Sequence, residues 1–214
     1  MSETSMTLFD DIPDSKYDME SFRSVTKAGD YLPRLQLMTA KSDVCVEGKF
    51  PSNHYAMIQD QNFTDLGLEV DMIPISWRPK AMEIGDQVIA IHDTKDPEFA
   101  RIQEKAGEPD SGCMYGPEFL CWIPKVKAFA TLLLGSKSAR REAPGIQGKM
   151  HESITLQSKL VSKGKFKWQA ICISTCSTPL DLPDKLKMMD EMKKFDNPPK
   201  QDIERADDSN DRDR

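Results

Sequence analysis

From residue 31 to residue 180 the chain repeats one arrangement: a short run in which apolar and polar side chains alternate, closed by a turn rich in glycine, proline or aspartate. Alternation with a period of two is the mark of a strand with one buried face, and it leaves little room for a helical bundle. Strands are expected at Tyr31–Met38, His54–Ile58, Leu68–Trp77, Gln87–His92, Phe119–Ile123, Phe129–Leu134, Ile154–Val161 and Lys167–Ser174. Pro33 confines the start of the first to a sheet edge, and the alternation of the third slips phase near Pro74, as it would at a bulge. Two segments carry helical spacing instead. Pro97–Ala106 places Phe99, Ile102 and Ala106 on one side, and a helix from about Asp184 to Phe195 presents Leu186, Met189, Met192 and Phe195. Residues 135–150, cut by Pro144, Gly145 and Gly148, are expected to be irregular or briefly helical.

The fold class that follows is mainly β: an OB-like barrel or small β-sandwich with one or two short helices, a C-terminal helix and disordered acidic ends. With 214 residues the chain has material for one domain. The division is an N-terminal tail over 1–30, a β-rich domain over 31–180, a helix over 181–195 and a C-terminal tail over 196–214. Both tails lack the large apolar side chains needed to offset the entropy of ordering.

Charge is unevenly placed. The formal net charge of −6 argues against a polyanionic partner if it is spread evenly. It is not: residues 1–30 carry −4 and residues 196–214 carry −3, whereas residues 121–180 hold ten bases against two acids, a surplus of +8. Residues 31–120 are the acidic counterpart at −7.

Within the basic segment two hairpin-like elements interleave aromatics with cations. Trp122, Lys125, Lys127 and Phe129 belong to the first; Lys165, Phe166, Lys167 and Trp168 to the second; Lys137, Arg140 and Arg141 follow the turn Gly135-Ser136. Single-stranded nucleic acid presents a charged backbone and a row of π-faces, and this mixture of residues answers both. Trp77 and Arg78 extend the same pairing of types. The expected nucleic-acid contacts are therefore Lys125, Lys127, Lys137, Arg140, Arg141, Lys165 and Lys167 on phosphates, and Trp122, Phe129 and Trp168 as stacking plates, with Trp77 and Arg78 in support. Alternation puts Lys165 and Lys167 on one face and Phe166 and Trp168 on the other, so aromatics that turned inward would be core.

Other chemistries leave thinner marks. Leu134-Gly135-Ser136-Lys137-Ser138 lacks the leading glycine of a phosphate-binding loop, with Ala130 in its place. The three histidines show no metal-ligand spacing, although His92-Asp93 at a strand end could begin a metal or acid–base site. Cys113 sits in a glycine-bracketed turn without a neighbouring base. Five cysteines, no CxxC pair and no amino-terminal apolar segment point to free thiols in a reducing compartment. No cofactor is expected, no catalysis, and no membrane span.

The stretch Leu8-Phe9-Asp10-Asp11-Ile12-Pro13-Asp14 resembles the acidic tip by which bacterial single-stranded DNA-binding proteins recruit replication enzymes, although there the tip closes the chain and ends in Phe. The wider layout, a β-rich core with a basic aromatic half, a late helix and acidic ends, looks like phage single-stranded DNA-binding proteins of the OB-fold type. That resemblance implies a non-enzymatic protein of DNA replication or recombination, with single-stranded DNA as partner, replication proteins docking on the acidic tails, and the cytoplasm, of a bacterial host if phage-encoded, as its place. Two alternatives remain open: an assembly protein whose acidic and basic halves meet between copies, giving a homo-oligomer, and a small metal-dependent hydrolase or nuclease around His92 and Asp93.

Overall fold

The computed structural model describes residues 32–196 apart from 61, 85–87, 93, 107, 109, 110, 178 and 179. Both acidic ends, the Asp10-Asp11-Ile12-Pro13 stretch, Tyr31 and Asp93 therefore lie outside the described residues.

The chain is mainly β, with its sheet curled into a half-barrel. In chain order the strands are β1 (Arg34–Leu37), β2 (Tyr55–Gln59), β3 (Asn62–Gly67), β4 (Val70–Ile84), β5 (Val88–His92), β6 (Cys113–Ile123), β7 (Ala128–Leu133), β8 (Ile154–Lys163) and β9 (Phe166–Thr175). The helical segments are α1 (Asp43–Val46), α2 (Glu98–Lys105), α3 (Lys137–Arg140), α4 (Ala143–Gln147) and α5 (Lys185–Asp196). The sheet runs β3-β2-β1-β7-β6-β4-β8-β9, and β5 pairs with β4 off that path. Among the described residues only the β1–β7 pairing is parallel.

β4 organises the sheet. Its first residues, Val70–Met72, pair with β8, Ile73–Glu83 pair with β6, and Ala81–Ile84 also pair with β5. A strand of 15 residues serves three neighbours because the register shifts between Pro74 and Ser76, where the alternation in the sequence slips. The strand also passes through Pro79, which lies opposite Pro117 of β6. Neither proline can donate to the other, so the two form a non-hydrogen-bonded pair whose missing N–H groups point away from the ladder.

Two apolar layers follow from the alternation. The inner face of the half-barrel gathers Leu35, Tyr55, Met72, Phe119, Cys121, Leu132, Ile154 and Leu156, with Ala139, Ala143 and Ile146 of α3 and α4 packed against them. The outer face of β4, β6 and β7 carries Ile73, Ile75, Leu120, Trp122 and Phe129, closed by Phe195, Met188 and Met192 of α5. A smaller cluster joins Phe99 and Ile102 of α2 to Ala81, Cys113 and Tyr115.

Candidate nucleic-acid interface

β8 touches β4 only through Ile154–Leu156, yet it pairs with β9 over all ten of its residues. From Gln157 to Lys163 the two strands therefore form an arm with no third strand beside it among the described residues, about 20 Å long at the usual rise. Its turn is Gly164-Lys165, with Lys163 opposite Phe166. Gly164 has φ 59°, while Lys165 is not in the left-handed region, the pattern of a two-residue turn with glycine first.

Residues directly opposite in an antiparallel pair share a face. Phe166 and Trp168 accordingly lie beside Lys163 and Val161, and Lys159 stands beside Ala170 farther down the same face. Lys167 lies with Ser162 on the other face, and Lys165 sits at the tip. The alternation expected for Lys165–Trp168 is present, but its consequence differs. Because the arm runs past the sheet, neither face of the tip is core: Phe166 is 76% exposed, Trp168 is half-buried, and Lys163, Lys165 and Lys167 are exposed. Among the described residues the side chains of these three lysines make no ion pair or hydrogen bond. Phe166 is the most exposed aromatic of the arm, and the charge pattern around it was the only sequence signal that pointed to it.

The other expected contacts are placed elsewhere. Trp122 of β6 and Phe129 of β7 are cross-strand partners with ring centroids 5.0 Å apart, and at 8% and 4% exposure they lie beneath α5. They are closed off as stacking plates because the outer face of an apolar sheet has to be covered, and α5 covers it. Lys125 and Lys127 flank them in a 3-10 turn at Pro124–Val126. Lys125 Nζ donates to the Leu66 carbonyl at 2.7 Å, and Lys127, exposed, takes φ 51° to turn the chain into β7.

Arg140 is 2% exposed and structural in its contacts. Gly116 explains why: a Cβ there would lie 2.2 Å from the Leu134 carbonyl oxygen, so only glycine lets β6 approach residues 134–135 this closely. The carbonyls of Tyr115 and Gly135 then converge, and Arg140 Nη1 donates to both. Its neighbours Lys137, half-buried, and Arg141, exposed, stay at the surface of α3, which Ser136 caps through the Ala139 amide. The adjoining Glu142 meets Lys159 of the arm at 3.5 Å, so this corner borders the arm's base.

Arg78 is likewise committed within the fold. Its Nε and Nη2 donate to Glu118 Oε2 at 2.9 and 2.8 Å, and Lys80 Nζ donates to Glu118 Oε1 at 2.6 Å. Burial by itself would raise the Glu118 carboxyl, but the charges of Lys80 and Arg78 outweigh it and hold the group below the ordinary carboxylate range. Arg78 Nη1 also donates to the Phe195 carbonyl, and its guanidinium lies 4.4 Å from the Phe195 ring centroid, pinning the last turn of α5. Trp77, 42% exposed, packs against Phe119 on the opposite face.

No family model, curated protein or solved structure matches the chain.

At the strand end, His92 Nδ1 pairs with Asp96 Oδ2 at 2.8 Å, and Asp96 Oδ1 accepts from the Glu98 amide at the start of α2. This arrangement orients a helix start. Among the described residues no three metal-ligating side chains gather into one group. The five cysteines are free, and burial, followed by the Glu83 charge, raises the Cys113 thiol and disfavours its thiolate.

Proposed function

We propose that the chain is a non-enzymatic single-stranded DNA-binding protein of replication or recombination, and that the β8–β9 arm is its primary contact. The observation that carries this reading is the tip itself, where Phe166 and Trp168 share a face with Lys163 and are flanked by Lys165 and Lys167. Residues two apart on one strand face stand about 7 Å apart, close to the reach of one nucleotide in an unstacked strand and twice the 3.4 Å step of a duplex strand. Two consecutive bases of an extended strand can lie on Phe166 and Trp168 while the lysines meet the phosphates. Lys137, Arg141 and Lys159 at the arm's base offer a continuation of the basic track. Arg140, Arg78, Trp122 and Phe129 are not part of this contact.

The test is a titration with oligo-dT at several salt concentrations, read by tryptophan fluorescence. Trp168 emission is quenched on binding, and log affinity falls linearly with log salt. Absence of binding at low salt, or binding indifferent to salt, refutes the reading.

Self-association is a second reading with an observation of its own. Leu186 and Met189 are exposed and three apart on one side of α5, and Leu182 in the segment leading into it is exposed as well. Light scattering without nucleic acid separates it from the first: concentration-dependent oligomers favour assembly.

A further inference from the structure

We infer that α5 is a displaceable strap over a second base-binding surface, formed by Trp122 and Phe129 with Lys125 and Lys127 beside them. The inference rests on the single-stranded DNA reading above and adds a regulated surface to it.

The surface has the make-up of the arm tip. Two aromatic rings 5.0 Å apart on adjacent strands are bordered by a turn carrying two lysines, one of them exposed with no side-chain partner among the described residues. Alternation along β8 from Thr155 sets the arm's aromatic face on the same side where the arm leaves the sheet, while Lys159 of that face reaches Glu142 between α3 and α4. Thr155 and Asp71 on the outer side join β8 to β4 through a 2.6 Å hydrogen bond, and Gln157, Lys159, Val161 and Lys163 continue that side along β8.

What covers the surface is slight. Of the twelve residues of α5 only Phe195 is buried; Met188 and Met192 are half-buried, and Leu186 and Met189 face outward. Directly above the two rings is a cation: Lys187 Nζ stands 5.3 Å from the Trp122 centroid and 5.9 Å from that of Phe129. Lys187 is exposed and also reaches the Lys127 carbonyl at 3.4 Å. The strap is tied at its ends, by Arg78 to the Phe195 carbonyl and by the Leu180 amide to Ser153 Oγ at 2.8 Å. A twelve-residue helix is marginal on its own, so α5 depends on these ties and on the packing of Leu180, Met188, Met192 and Phe195 against the sheet. Flexible methionine and lysine side chains can leave aromatic faces that bases then occupy. Binding of a strand long enough to pass from the arm onto β6 and β7 is therefore coupled to release of α5.

Hydrogen exchange on the full chain, with and without saturating oligo-dT, tests this. The expected result is faster exchange of the α5 amides when a long oligonucleotide is bound, and unchanged α5 exchange with one too short to leave the arm. Phe195→Ala, which loosens the strap, should raise affinity for the long oligonucleotide several-fold and leave the short one unaffected. Should Phe195→Ala fail to fold, Lys187→Glu, at an exposed position, takes its place. Oligonucleotide binding with α5 exchange unchanged or slowed overturns the strap while leaving the arm intact. Failure of every oligonucleotide to bind overturns the function reading itself.

Discussion

Lys187 holds its ammonium 5.3 Å above the ring of Trp122, so the tryptophan that the sequence offers as a stacking plate is already occupied by a cation from the chain's own last helix. Trp168, the other candidate tryptophan of the basic half, is half-buried on an arm with no third strand beside it among the described residues. The two are alike in sequence context and opposite in structural role.

That contrast can be measured. Trp122→Ala removes a buried side chain from the layer under α5 and should cost about 3–5 kcal/mol of stability. Phe166→Ala, at an exposed tip, should change stability by less than about 0.5 kcal/mol. Its oligo-dT affinity should fall by about 5- to 150-fold, the equivalent of one lost stack. Denaturant melts beside fluorescence titrations separate the two effects, and a Phe166→Ala protein with undiminished affinity would remove the arm from the interface.

Arg140 and Arg141 are neighbours with different fates. Arg140→Ala leaves the Tyr115 and Gly135 carbonyls without their charged donor, and unfolding should become easier by about 3 kcal/mol. Arg141→Glu should leave stability within about 0.5 kcal/mol of the parent and weaken oligonucleotide binding. Equal melting curves for the two variants would contradict the buried role of Arg140.

The Glu118 network makes stability depend on pH. Its folded carboxyl lies below the ordinary carboxylate range, so its contribution is present above the unfolded value of about 4.3 and disappears as pH falls through the lower folded value. Urea midpoints measured between neutral and strongly acid pH should fall more steeply in the parent than in Glu118→Gln. The variant should also be weaker by about 3–5 kcal/mol at neutral pH, because Arg78 and Lys80 lose their shared anion and α5 loses a well-oriented anchor.

Replacing Lys163, Lys165 and Lys167 together by Gln should reduce the salt slope. Each phosphate contact on a single strand contributes about 0.7 to that slope, so three contacts remove about 2. An unchanged slope would mean that the tip lysines do not meet phosphates.

The strands were legible because their apolar residues recur with a period of two, and even the register shift beside Pro74 has its trace in the sequence. The two ends of β4 and β6 were less so. Trp77-Arg78-Pro79 reads as the end of a strand, yet β4 continues to Ile84 because Pro79 and Pro117 face each other where neither needs an N–H. β3 carries Asn62, Thr64 and Asp65 and shows too few apolar residues to be seen, although it pairs with β2 over its length. α1 is a single turn of helix without a buried residue and left no pattern.

By itself the sequence determined that this chain builds a sheet, that its second half is basic, and that aromatics and cations alternate there, since periodicity and charge are properties of neighbours along the chain. Whether a given aromatic is plate or core depends on what lies across the sheet from it. The outer side of Trp122 is filled by α5, more than 60 residues later, and the buried position of Arg140 follows from a close approach that Gly116 permits. Only the tertiary structure could decide these, because burial is set by contacts between segments far apart in the chain, whereas the exposed tip of the β8–β9 arm follows from where its third strand stops.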